Sequence, residues 1–140
     1  MIDPHKIHLT NIVKVTDTIS PDCQNHKTEE LGMDISHQMM HNLVEKKVKL
    51  NMQIAFLCNN QSNEKVAVFA YDFFYTIDDL ELHYQLANGK PLFDGLFVST
   101  LLGMTYSTIR GVLFQRLTEP PLNNIILPVI NVPDLLKFVL

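Results

Sequence analysis

The sequence predicts an α+β fold: a four-stranded antiparallel sheet with a long crossover connection, then one long helix packed on it and a short C-terminal helix. Two observations carry this prediction. The first half of the chain alternates apolar and polar residues with period two, and the second half changes to steps of three and four. Strand-rich segments followed by helical ones indicate an α+β layer arrangement. The length, 140 residues, suits a single domain, residues 1–140, with one core.

In "KIHLTNIVKVT", Ile7, Leu9, Val13 and Val15 fall on one side and Lys6, His8, Thr10 and Lys14 on the other, the pattern of a half-buried strand. "SPDCQNHKTEELG" is polar and contains Pro21 and Gly32, so it reads as a long connection. "LGMDIS" alternates again, with Leu31, Met33 and Ile35 on one face, and "HQMMHNLVEK" reads equally as helix, bulge or loop. "KKVKLNMQIAFLC" places Val48, Leu50, Met52, Ile54 and Phe56 opposite Lys47, Lys49, Asn51 and Gln53. "NNQSNE" is a hairpin loop, and "KVAVFAYDFFYTI" is a strand rich in aromatic and β-branched residues. "DDLELHYQLANGKP" reads as a short helix ended by Gly89 and Pro91. The main helix runs from about Phe93 to Leu117, before Pro120 and Pro121. The tail is extended through Val132, and Pro133 opens the terminal helix.

Composition narrows the function classes. Hydrophobic residues make up 46 % and charged residues 19 %, a globular balance. The net charge of −4 gives no basic footprint for nucleic acid. Cys23 and Cys58 are too few for a disulfide framework and read as reduced thiols. No apolar run of the signal-peptide kind opens the chain, and the charge-free stretch "GLFVSTLLGMTYSTI" falls short of the ~20 residues that span a bilayer. The expected location is the cytoplasm, without membrane insertion.

That charge-free stretch poses the main question of the sequence. Leu102, Tyr106, Ile109, Leu113 and Leu117 form one apolar stripe, and Phe93, Phe97, Leu101 and Met104 a second. Small residues recur every fourth position, at Ser99, Gly103, Ser107 and Gly111. One helix face reaches a sheet, and a helix that is apolar all round needs further cover. Small residues at this spacing let two helix backbones approach. The expectation is a subunit interface at Ser99, Gly103, Ser107 and Gly111.

Signatures of catalysis are absent: no HExxH, CxxC, GxSxG, P-loop or GxGxxG. His37 and His41 would share a helix face, but without further ligands at metal spacing they read as ordinary polar histidines. Asp78, Asp79 and Glu81 read as caps at a helix start. No metal and no cofactor is expected, and the chain does not read as an enzyme. What remains is surface. Met33, Met39, Met40 and Met52 lie close together, and methionine suits permissive apolar binding surfaces. Met39 and Met40, adjacent in a polar segment, cannot both point inward.

The order of elements, together with "YSTIRGVLFQRLTEPPLNNIILPVINVPDLL", resembles the SecB family of export chaperones. Tyr106, Arg110, Pro121, Leu122, Leu127, Pro128, Val129, Asn131 and Asp134 stand at corresponding places, and "LGMDIS" and "VKLNMQIAFL" resemble the second and third strands. The resemblance covers about His5 to Leu136 and lies in the order of pieces rather than in one motif. It implies a cytoplasmic homotetramer, a dimer of dimers, that holds unfolded polypeptide in apolar grooves without ATP. It implies client-binding residues Leu31, Met33 and Ile35 on the second strand, Met39, Met40 and Leu43 after it, Phe93, Leu96 and Phe97 at the helix start, and Leu135 and Leu136 in the final helix.

Some features depart from the family pattern. Lys14 and Thr16 stand in the first strand where acid is expected, Lys47 and Lys49 occupy the outer face of the third, and no acidic tail follows. "YDFFYTI" replaces the glycine pair usual in the fourth strand. These departures speak against docking to the SecA motor. The general holdase reading comes first, and a dedicated chaperone for one client such as an antitoxin second. A small apolar-ligand-binding module is the rival from another class, and it would need an enclosed cavity with a few convergent polar groups.

Overall fold

The structure of the chain, a computed structural model, describes residues 2–19, 31–58, 65–118 and 127, with residues 31, 58 and 65 described by their backbone alone. Four strands, β1 (Ile7–Ile19), β2 (Leu31–Asn42), β3 (Lys47–Cys58) and β4 (Lys65–Ile77), form one antiparallel sheet in the order β1-β4-β3-β2. The chain therefore crosses from one sheet edge to the other between β1 and β2, where the sequence predicts its long connection. A 3-10 turn (Leu80–His83) and a small hairpin, β5 (Tyr84–Ala87) with β6 (Lys90–Phe93), lead into the helix α1 (Gly95–Arg116). The segment expected after α1, including the terminal helix with Leu135 and Leu136, lies outside the described residues apart from buried Leu127. So does the connection that holds Cys23.

One sheet face makes the core. Val48, Leu50, Met52, Ile54 and Phe56 of β3 lie beside Phe69, Tyr71, Phe73, Tyr75 and Ile77 of β4, and all ten are buried. Burying aliphatic and aromatic side chains of this size stabilises by about 1.5–3 kcal/mol each. This inner face is the one that the alternation in the sequence marks out. "HQMMHNLVEK" forms strand through Asn42 and then a tight turn, with Lys46 at φ 58°.

In β1 the alternation misleads. Its pairing with β4 shifts between Leu9 and Asn11 and again between Lys14 and Thr16. Each extra residue reverses the faces of the residues after it. Ile12, opposite Phe73, turns inward, while Val13, opposite Asp72, turns outward with Val15. The predicted grouping of Ile7, Leu9, Val13 and Val15 on one face is thus corrected.

"DDLELHYQLANGKP" does not make the short helix that the sequence suggests. Asn88 (φ 53°) and Gly89 (φ 78°) form a two-residue turn with both φ positive, the geometry that an Asn-Gly pair favours in a hairpin. Phe93 ends β6, so the helix starts two residues later than predicted. Nor do Asp78, Asp79 and Glu81 cap a helix. Asp78 meets His8 at 2.9 Å, Asp79 meets His83 at 3.2 Å and Glu81 meets Lys46 at 3.1 Å. The His8 hydrogen bond holds the Asp78 carboxyl below its ordinary range.

The two apolar stripes of α1 merge on one face. Phe97, Leu101, Leu102, Thr105, Tyr106, Ile109 and Leu113 are buried against the sheet. At about 100° per residue, Ser99, Gly103, Ser107 and Gly111 lie on the opposite face. The sheet therefore covers more of the helix than the sequence suggests, and the small-residue stripe faces outward with exposed Leu96 and Phe114 beside it. By length and composition alone α1 would be long and apolar enough to cross a membrane, and in the fold it is seated on the sheet.

Candidate functional site

The inner face of β2 extends past the core toward the sheet edge. The register sets Met33 opposite Phe56, Ile35 opposite Ile54, His37 opposite Met52, Met39 opposite Leu50 and His41 opposite Val48. Period two then splits the adjacent methionines: Met39 packs against the core, and Met40, opposite Lys49, points to the outer face and is 52 % exposed. His37 and His41 share a strand face four residues apart, about 13 Å along the strand, rather than one turn of a helix. Among the described residues no three His, Cys, Asp or Glu side chains come together in a way that could hold a metal ion.

At the Asn42 end of β2 an aromatic cluster joins the strand, the hairpin and the helix start. The His41 ring meets Phe93 edge-on at 5.4 Å, and Tyr84 meets Phe93 at 5.7 Å. Phe93 stacks on Phe97 at 6.0 Å, and Phe97 stacks on His83 at 4.6 Å with the rings only 5° from parallel. His83 is buried, its Nε2 lies 3.2 Å from Asp79 Oδ1, and its carbonyl accepts the Asp94 N–H at 2.8 Å. One histidine therefore fastens the turn, the hairpin and the first helical turn together.

The predicted contact residues divide by burial. Met33, Met39, Leu43 and Phe93 are partly buried and pack against the core, and Met40 and Leu96 are exposed. Ile35 and Phe97 are 2 % and 0 % exposed, so they shape the floor rather than offer surface. The Leu31 side chain, Leu135 and Leu136 lie outside the described residues. Sequence reasoning missed His41, His83 and Tyr84, along with the apolar surface of the hairpin. Leu82, Leu86, Leu92 and Leu96 are between 61 and 74 % exposed, an unusual set of large apolar side chains within fifteen residues. Its signal was available in the Asn88-Gly89 pair, which makes a hairpin of a segment otherwise read as helix.

The outer sheet face has another character. Asp72 accepts a hydrogen bond from Asn51 at 2.9 Å and meets Lys49 at 3.7 Å, and Lys49 also lies 6.0 Å above the Phe74 ring. Lys47 pairs with Glu45 at 3.2 Å. Two shallow hollows, about 410 and 320 Å³, lie along this face and share Met40 and Lys49. Val13 and Val15 are exposed there. The face is mixed, with its lysines already paired.

No family model matches the sequence, and no curated protein is similar to it in a sequence search. Its fold, however, is that of a solved protein. The SecB-like chaperone Rv1957 of Mycobacterium tuberculosis, solved in complex with a ChAD peptide from the Rv1956 HigA1 antitoxin, superposes with a TM-score of 0.55 over 91 % of each chain, at 12 % identity. At that identity the likeness speaks for architecture, and it meets the resemblance carried by the order of elements in the sequence. A four-stranded antiparallel sheet entered through a long crossover and backed by a single long helix gives this chain a SecB-like fold.

Proposed function

We propose that this protein is an ATP-independent holdase that binds non-native polypeptide along the inner face of β2, beside the hairpin and the start of α1. The observation that carries this reading is the surplus of apolar surface gathered there. Met33, Met39, Leu43 and Phe93 are incompletely buried, and four exposed leucines lie on the 3-10 turn, the hairpin and the helix start. Non-directional apolar contact, at about 25 cal/mol per Å², tolerates many client sequences. The SecB-like fold supports the reading, since the solved neighbour is a chaperone. No catalytic role is proposed for any residue.

The working form in this proposal is a cytoplasmic homotetramer, a dimer of dimers, assembled through the outward stripe of α1. Two copies of the stripe would cover each other's Phe114. Docking to SecA is not proposed, because the outer face carries Lys47 and Lys49.

The test is dilution of an unfolded protein into buffer with and without this chain, without nucleotide, while light scattering is followed. The expected result is suppression of aggregation at near-stoichiometric amounts, and absence of suppression by an intact assembly removes the general holdase reading. The second reading, a chaperone dedicated to one client such as an antitoxin, is favoured by the antitoxin peptide bound to the neighbour. It would survive that result and would be tested with antitoxins encoded beside this chain.

A further inference from the structure

We infer that the β5–β6 hairpin is a strap that lifts when a client is held, with Phe93 as its latch: the Phe93 ring fills the slot between His41 and Phe97 that a phenylalanine-sized side chain of the client takes over. This inference rests on the chaperone reading and names how access to its site is controlled. The floor and the roof of the slot are held differently. On the floor, Phe97 is 0 % exposed and stacks on the His83 ring at 4.6 Å. His83 in turn meets Asp79 at 3.2 Å, and the Lys46–Glu81 pair at 3.1 Å ties the same 3-10 turn to the turn before β3. The floor is fixed from several sides.

The roof is the hairpin. β5 and β6 pair with each other and, among the described residues, with no strand of the four-stranded sheet. A two-stranded hairpin with four residues a side is marginal without side-chain support. Tyr84 and Phe93, opposite one another at its base, supply that support by packing on the core. Phe93 is the one that enters the slot, with its ring 5.4 Å from His41 and 6.0 Å from Phe97. The main-chain bond from Asp94 N–H to the His83 carbonyl closes the base of the hairpin without fixing the angle of its arm. Asp94 stands between Phe93 and α1, and its side chain makes no capping hydrogen bond. An element-terminal residue of this kind can absorb a hinge rotation.

The arm also carries surface suited to a strap. Period two sets Leu86 and Pro91, directly opposite each other, on the face that bears Tyr84 and Phe93. A chain beneath the raised arm would place one large side chain between His41 and Phe97 and meet Leu86 and Pro91 with the next. The occupant is apolar, because a charge set among these rings would lose its water without gaining a partner. Phe93 itself shows the size of side chain that the slot accepts. Closure by Phe93 competes with the client, so the apparent affinity falls by the fraction of molecules whose strap is open.

The experiment uses the full chain, its Phe93→Ala and Phe93→Leu variants, and a labelled ten-residue peptide of glycine, serine and three phenylalanines. A control peptide has alanine in place of phenylalanine. Affinity is read by fluorescence anisotropy, and ring contacts in the wild type by nuclear Overhauser cross-peaks. The phenylalanine peptide should bind Phe93→Ala at least about fivefold more tightly than wild type, with Phe93→Leu between them. The control peptide should gain nothing. In the wild type, a cross-peak between the His41 and Phe93 rings should give way, on saturation, to one between His41 and the peptide.

The sign of the Phe93 effect separates a latch from an ordinary contact residue. Weaker or equal binding by folded Phe93→Ala would overturn the strap and leave the chaperone reading standing. So would a His41–Phe93 cross-peak that persists in the saturated complex, or one that is missing from the free protein. The cross-peaks decide by themselves if neither variant folds. Failure of the phenylalanine peptide to bind wild type and folded variants alike would remove the chaperone reading, and this inference with it.

Discussion

The Tyr75 hydroxyl lies 2.7 Å from Thr105 Oγ1, a buried hydrogen bond that joins the end of β4, near Ile77, to the middle of α1. The two residues are 1 % and 0 % exposed, so neither oxygen has water as an alternative. Removing one partner leaves the other unsatisfied, and that asymmetry outweighs the modest net value of an intact bond. Tyr75→Phe and Thr105→Val should each lower unfolding stability by about 1–3 kcal/mol, and the double variant should lose less than their sum. Chemical denaturation of the four proteins gives the coupling directly, and full additivity would mean that the contact does not hold the layers together.

The same pair predicts an alkaline limit. Burial raises the Tyr75 phenol above its usual range, and the Thr105 bond offsets this only in part. A group whose pKa is raised in the folded state contributes stability that is complete below its unfolded value, about 10, and lost as pH rises toward the folded value. Wild type should therefore lose stability above about pH 10 more steeply than Tyr75→Phe. Parallel slopes for the two proteins between neutral and alkaline pH would contradict this.

His83 is expected to couple packing to client capture. Its ring stacks on Phe97 and its Nε2 meets Asp79, so His83→Phe keeps the stack and loses only the polar contact. His83→Ala loses both and leaves a cavity beneath the helix start. The alanine variant should cost about 2–4 kcal/mol and weaken peptide binding. The phenylalanine variant should retain most of the binding. Equal binding by His83→Ala and wild type would take the aromatic cluster out of the site.

Gly89 carries a backbone conformation rather than a contact. Its φ is +78°, and a Cβ there would meet nothing within 4 Å. Gly89→Ala should thus destabilise through strain alone, by about 1 kcal/mol, while Asn at this position is better tolerated. A thermal melt that ranks glycine above asparagine above alanine would support the type of turn, and no difference among the three would count against it.

The outward stripe of α1 gives a test of assembly that spares the core. A Cβ at Gly111 meets nothing in its own chain, so Gly111→Leu should leave the fold intact. Gly103→Leu stands further inside the proposed contact. Either change should shift the mass measured by light scattering toward smaller species at micromolar concentration. An unaltered mass for both, with native circular dichroism, would place the subunit interface elsewhere.

Much of this architecture was legible because the two backbone periods differ. Val48 through Phe56 alternate so cleanly that β3 and its buried face follow from sequence, and the crossover follows from a polar run between strands. The split of Met39 and Met40 was also predictable, because neighbours on a strand oppose one another. Long-range register was not legible. The two shifts in β1 that turn Ile12 inward and Val13 outward depend on how β1 meets Phe73 and Asp72, more than fifty residues away. The site divides along the same line. The sequence alone determined the surplus of apolar residues near β2 and the helix start, since composition and spacing are local properties. Only the tertiary structure decided that Ile35 and Phe97 go to the floor, and that His83 and His41 join Phe93 and Phe97. Burial and strand neighbours are set by the packing of distant segments, and no local pattern records them.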